Sequence, residues 1–234
     1  MKTNRNSKIN WKISLGAALG AAVLGSAGLS TRADDPKIAG PTTFVRVLHA
    51  VPGGSKVDVY IDGKKRLNDV TFGAITKYQR FPSGRHSFRI ESNNPTRVVA
   101  SGTSTLRSGD FYTLSTFGTP SYPRFLAIDD SAGGVPFGRA RVTFTNFSPG
   151  LAPVDVVATT ENGSTYRIAR RLRYGTASAA ALPAAPMTIR LMSGGRVVGT
   201  IYGVHPREGR KYAAYAIGRP GVNFRAIMDV TASQ

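Results

Sequence analysis

Between Phe44 and Gly63 the chain reads FVRVLHAVPGGSKVDVYIDG. Val45 and Val47 alternate with Arg46 and Leu48, and Val57, Val59 and Ile61 alternate with Asp58, Tyr60 and Asp62. A period of two in β-branched residues is the pattern of a half-buried strand. Pro52-Gly53-Gly54-Ser55 breaks the pattern, and Asp62-Gly63 closes it with a residue pair suited to positive φ. Two strands that turn back on one another are therefore expected.

The same reading along the first half places strands near 43–49, 56–62, 74–81, 85–91, 97–106, 111–117 and 124–128. Turn signals separate them: Pro82-Ser83-Gly84, Asn93-Asn94-Pro95, Ser108-Gly109-Asp110 and Gly118 to Pro123. No window carries an apolar stripe at helical spacing. Ser131 to Pro136 is small, uncharged and flexible, as a domain boundary is, and beyond it the pattern returns.

Arg46-Val47 recurs as Arg141-Val142, which sets His49 against Phe144. Pro52-Gly53 recurs as Pro149-Gly150, Val57-Asp58-Val59 as Val154-Asp155-Val156, and Phe72-Gly73 as Tyr174-Gly175. Pro82 matches Pro183, Val98-Val99 matches Val197-Val198, and Gly109 to Tyr112 matches Gly209 to Tyr212. Gly118 and Gly218 each follow that Tyr by six residues. Matches in one order with little drift in spacing indicate two copies of one fold. The expected fold class is all-β: two tandem antiparallel β-sandwiches of immunoglobulin-like type, related by internal duplication. The Tyr after each turn Gly is either a tyrosine corner, bonded back to upstream backbone, or a partly buried core residue.

Charge and composition add a compartment. The chain has a formal net charge of +18. Residues 1–12 hold Lys2, Arg5, Lys8 and Lys12 without an acid, and an apolar run from Ile13 to Leu29 follows. These are the n- and h-regions of a signal peptide, with cleavage expected after Ala33 and Gly25-Ser26-Ala27 as the competing site. An uncleaved anchor is the alternative, although the run is short and rich in Gly and Ala for a span. Removing residues 1–33 takes away five of the 31 bases and none of the 13 acids, which leaves +13. Cysteine is absent, so an exported chain would hold itself together without disulfides, as suits a bacterial periplasmic or extracellular protein. The expected organisation is a signal peptide at 1–33, a linker at 34–42, a first sandwich at 43–130, a linker at 131–138, a second sandwich at 139–230 and a tail at 231–234.

RVLHAVPGGSKVDVYIDG, FGAITKYQRFPSGRHSFRI and GDFYTLSTFG closely resemble segments of a secreted bacterial family known only as domain of unknown function 4397 (DUF 4397). In that family the first strand usually ends in His-Ala followed by Ser-Pro. Here His49-Ala50 is followed by Val51-Pro52, and the second copy departs further, with Phe144-Thr145-Asn146-Phe147-Ser148-Pro149. More loosely, the signal peptide and paired β domains are similar to the family of the periplasmic alginate O-acetylation accessory protein AlgF. That similarity implies a non-catalytic adaptor in exopolysaccharide modification. Neither family supplies catalytic residues to carry over.

A search for chemistry finds no nucleophile elbow, phosphate loop or dinucleotide fingerprint. Three His residues and no Cys give neither zinc spacing nor a calcium loop. His49 is expected to be packing, and His86 and His205 are expected in loops or at edges. Asp58 and Asp62 share a strand face, and Asp129-Asp130 is expected to be a solvated end. The chain is expected to be no enzyme, with no cofactor and no metal.

What remains are basic clusters: Arg167, Arg170, Arg171 and Arg173; Lys64, Lys65 and Arg66; and Arg207, Arg210 and Lys211. They are expected either to bind polyanions or to keep an exported protein soluble. Acidic exopolysaccharide or an envelope protein is the expected partner, and export makes nucleic acid the least suitable one. The functional expectation is a non-catalytic exported adaptor of the cell envelope. The alternatives are a structural spacer of a coat or matrix and, remotely, a hydrolase or transferase with an atypical site.

Overall fold

The computed structural model describes residues 40–231. The expected signal peptide, residues 34–39 of the first linker and the last three residues of the tail lie outside them. Every regular element described is a strand.

The first half contains β1 (Thr42–His49), β2 (Val57–Ile61), β3 (Lys64–Val70), β4 (Gln79–Pro82), β5 (Gly84–Asn93), β6 (Thr96–Leu106), β7 (Phe111–Thr119) and β8 (Tyr122–Asp129). The second contains β9 (Arg139–Asn146), β10 (Val154–Thr160), β11 (Thr165–Leu172), β12 (Ala177–Pro183), β13 (Met187–Ser193), β14 (Arg196–Val204), β15 (Lys211–Ile217) and β16 (Arg225–Thr231). Each half forms two four-stranded sheets. The orders are β4-β1-β7-β8 and β3-β2-β5-β6 in the first half, and β12-β9-β15-β16 and β11-β10-β13-β14 in the second.

Three sequence expectations change here. Eight strands replace seven, because β3 was not expected as a strand. Its bulged pairing with β2 leaves only Leu67 and Val70 against the core, so no period of two marks it. The sheets are not wholly antiparallel, since β1 pairs parallel to β7 and β9 parallel to β15. Side-chain alternation is the same in both directions and carries no sign of this. The strand order is also not that of an immunoglobulin domain, which sets its first, second, fifth and fourth strands in one sheet.

The register also corrects the repeat. Val45 faces Tyr112 across β1 and β7, and Val142 faces Tyr212 across β9 and β15. Arg46 therefore corresponds to Thr143 rather than Arg141, and His49 to Asn146 rather than Phe144. The expected pairing slipped by two residues, and a slip of two keeps every side chain on its own face, so the pattern could not reveal it.

Three cores hold the molecule. Val45, Val47, Val59, Phe88, Ile90 and Leu114 fill the space between the two sheets of the first half. Val142, Phe144, Val156, Ile189, Leu191 and Ala214 do the same in the second. The third core joins the halves: Leu48, Phe117 and Ile128 pack on Phe147, Tyr215 and Ile217, with the Phe117 and Phe147 rings stacked 4.4 Å apart. The four sheets thus lie in layers, and the two inner ones are covered on both faces. This is why β7 is buried from Phe111 to Gly118 although its sequence interleaves Thr and Ser with apolar residues.

Candidate functional site

The inner layers contain most of the buried polar chemistry. Arg46 is almost fully buried and donates from Nε to Thr113 Oγ1 at 2.8 Å. Its Nη1 donates to Asp229 Oδ2 at 2.8 Å and to the Val230 carbonyl at 3.2 Å, and its Nε lies 3.7 Å from Asp130 Oδ2. Tyr78 donates its hydroxyl to Asp130 at 2.7 Å and lies under the guanidinium, 4.6 Å from its centre. Burial opposes the charge on Arg46, but Tyr215, Asp130, Tyr78 and Asp229 outweigh it and hold the guanidinium above its ordinary pKa. Burial pushes the Asp130 carboxyl up, against the pull of Arg46 and the Thr113 and Tyr78 hydroxyls. Asp130 is therefore no solvated end, as the sequence had implied; the second half covers it. Arg46 served in the sequence only as a marker of the repeat, although a cation set between Val45 and Val47 could have pointed here.

Beside this network, a cavity of about 10 Å³ is lined by Asp129, Asp130, Arg141, Thr145, Lys211 and Tyr215. That is room for a single water-sized molecule. Burial lowers the pKa of both Arg141 and Lys211, and Lys211 donates to the Ser131 carbonyl. Lys211 thus turns inward, away from the surface cluster in which the sequence set it. The cluster is a packed joint rather than an open site.

The histidines are structural too. His49 is buried, with its ring nitrogens against Thr116 Oγ1 at 3.2 Å and the Ser55 carbonyl at 3.1 Å, and burial lowers its pKa. His86 is not at an edge but buried within β5, bonded to Asp62 Oδ2 at 2.6 Å and to the Pro82 carbonyl at 2.9 Å. His205 is exposed after β14. Asp58 and Asp62 do not meet, since Asp58 takes Lys65, Asn93 and the Asp69 amide while Asp62 takes His86 and Ser87. Among the described residues, no three His, Cys, Asp or Glu side chains group so as to hold a metal.

Of the two readings of the tyrosine, the bond back to upstream backbone is present in both halves. Tyr112 accepts the Arg107 backbone amide at 3.1 Å, and Tyr212 accepts that of Arg207 at 2.9 Å. A repeated bond from a hydroxyl to backbone five residues upstream marks framework rather than chemistry. Gly118 and Gly218 belong to the same framework. Both have positive φ, and a Cβ at either would strike the backbone carbonyl of Tyr122 or Asn223.

The outer sheets carry the surface chemistry, and here the halves differ. In the first, Tyr60 lies between Lys65 and Arg89, with the Arg89 guanidinium 4.0 Å from the ring centre. Lys65 is bonded to Asp58 at 2.5 Å, and Arg89 is paired with Glu91. Burial alone would raise the Asp58 carboxyl, but Lys65, the Asp69 amide and Asn93 hold it low. Arg66 lies over the Phe81 ring and Lys64 is exposed.

In the second half, register puts Val157 where Tyr60 stands, between Arg167 and Arg190. Asp155 corresponds to Asp58, Met192 to Glu91 and Arg171 to Asp69. Arg171 and Asp69 both have positive φ, and each donates its amide to that Asp, at 2.7 and 3.0 Å. Arg167, Arg170, Arg171, Arg173 and Arg190 are exposed, and among the described residues none of their side chains has an ion pair or hydrogen bond. A recess of about 310 Å³ opens on this face, lined by Asp155, Val157, Arg167, Arg171 and Met192. Of the ten expected surface cations, only Arg167 and Arg171 line it together. Arg207 and Arg210 are exposed in and beside the turn before β15. Met192 carried no signal in the sequence. Asp155 did, by repeating Asp58.

Residues 43–157 match the family described as "Domain of unknown function (DUF4397)", so that resemblance holds across the first half and into β10. No curated protein matches the sequence. Among solved structures, one similar chain is described as a "putative cell adhesion protein" from Bacteroides uniformis. It is 10% identical, and the match covers 80% of this chain and 98% of that one at a TM-score of 0.29. A protein of the same description from Bacteroides ovatus is 8% identical, with 82% and 96% covered and a TM-score of 0.29. A family 26 carbohydrate-binding module from Eubacterium rectale, solved with maltoheptaose, is 8% identical, with 82% and 98% covered and a TM-score of 0.25. Likeness this slight decides nothing about this chain.

Proposed function

We propose that the chain is a non-catalytic, exported binding or adaptor protein of the bacterial cell envelope, whose two β domains, 43–130 and 139–230, present a basic surface to an acidic polysaccharide. The observation that carries this reading is the unequal charge of the halves. Residues 43–130 hold twelve bases against seven acids, and residues 139–230 hold thirteen against four. Among the described residues, no ion pair joins a base and an acid within the second half. Twelve of its thirteen bases are Arg, whose planar fork bonds carboxylates in pairs where Lys acts as a point charge. The basic and apolar pattern of residues 1–33 supports export.

The test is binding of the purified protein to acidic and neutral glycans from low to high salt. Selective binding that persists at about 0.15 M salt, where charges are screened beyond roughly 8 Å, supports a shaped site. Binding to every polyanion that disappears with salt makes the charge generic. A second reading, a structural spacer of a coat or matrix, draws on the third core, which fixes the halves against each other. Absence of any glycan binding favours that reading.

A further inference from the structure

We infer, resting on that reading, that the recess between β10, β11 and β13 is a subsite for one carboxylate-bearing sugar residue of an acidic polysaccharide. The internal duplication provides the control. At matching register the first half carries Asp58, Lys65, Asp69 and Glu91, and it satisfies them internally: Lys65 and Asn93 bond Asp58, Asn93 also bonds Asp69, and Glu91 pairs with Arg89. In the second half these positions are Asp155, Arg167, Arg171 and Met192. Two acids have been replaced by Arg and Met, and the lysine by a second arginine. The framework is retained down to the bulge and the amide bond to Asp155, while the chemistry that closed the face is gone.

What remains has the polarity of an acidic sugar. Arg167 and Arg171 against Asp155 leave one net positive charge, which one carboxylate neutralises. Asp155 Oδ1 is engaged by the Arg171 amide, and among the described residues the second oxygen has no partner, which leaves it to accept a sugar hydroxyl. Met192 and Val157 offer an apolar floor to the C–H face of a ring. The Gly194-Gly195 turn at the rim has no side chain, and a Cβ at either residue would meet nothing, so a polymer passes over it unobstructed. A volume near 310 Å³ is at the small end of ligand pockets and suits one or two sugar rings rather than a long groove.

Arg171→Gly is the informative variant, because glycine keeps the positive φ while removing the guanidinium. Calorimetric titration of the protein with oligogalacturonate, its fully methyl-esterified form and dextran sulfate gives the readout. The expected result is that the wild type binds the free acid over the ester. Arg171→Gly then weakens this at least about tenfold without lowering the melting temperature, and the Arg170→Ser/Arg173→Ser double variant weakens it less than about threefold. If wild-type binding persists undiminished in Arg171→Gly, the recess is not the site, though the glycan-binding reading stands. If the wild type binds none of the three probes, both fall together. Dextran sulfate bound as tightly as the free acid, and weakened as much by Arg171→Gly, overturns the carboxylate assignment.

Discussion

The two halves share strand order, bulges, tyrosine bonds and core positions, yet they use polar residues differently. The first half pairs its charges on its outer face and sends Arg46 and Asp130 into the joint. The second half leaves its outer arginines free and sets Thr143 where Arg46 stands. Duplication thus separates what the fold needs, which occurs twice, from what one copy acquired, which occurs once.

The largest expected effect tests the joint. Arg46→Met removes the cation that, among the described residues, is paired with Asp130 and leaves a buried carboxyl with hydroxyl donors but no counter-charge. Breaking a buried pair in this way costs about 3–5 kcal/mol. By contrast, Arg141 is half-buried and among the described residues has no ion pair, and Arg141→Phe, the residue at the matching position 44, is expected to be neutral or stabilising. Denaturant unfolding of the two variants measures the difference, and equal losses would mean that the Arg46 network has no special weight.

Next come Tyr112→Phe and Tyr212→Phe, each expected to lose about 1 kcal/mol by stranding an upstream amide. Similar losses support a shared framework, and a large inequality in urea midpoints would break the symmetry. A smaller difference depends on pH. Burial holds the His49 pKa below 6.5, so its contribution is complete above that pH and is lost as pH falls through the lower folded value. Melts between pH 8 and 5 should show this loss in the wild type but less of it in His49→Asn, the residue its counterpart Asn146 already provides. Smallest is the gain from relieving positive φ. Arg171→Gly should stabilise by roughly a few tenths of a kcal/mol, whereas Asp69→Gly should gain nothing, since Asp tolerates that conformation and its carboxylate accepts a bond from Asn93.

Most strand positions, the turns, the duplication and one of two readings of the tyrosines were legible because each depends on local pattern: alternation, glycine, and spacing from a turn. What covers a strand was not. Thr113 and Ser115 are fully buried, yet a polar residue at every second position looks the same in the sequence under water as under another sheet. Strand direction and the two-residue slip at Arg46 were hidden for the same reason, since period two is blind to both. Of the site, the sequence showed the arginine cluster and the repeated Asp155. The recess needed Met192 and Gly194, which are brought to it only by the pairing of β13 with β10.

Asp229, which grips Arg46 from 183 residues away, lies in the sixteenth and last described strand. That strand supplies one of the two carboxylates that answer the buried guanidinium, and its Ile227 packs against the core shared by the halves. A change confined to the last described strand can therefore be felt in the first, so two segments that share no sheet do not rise and fall in stability independently.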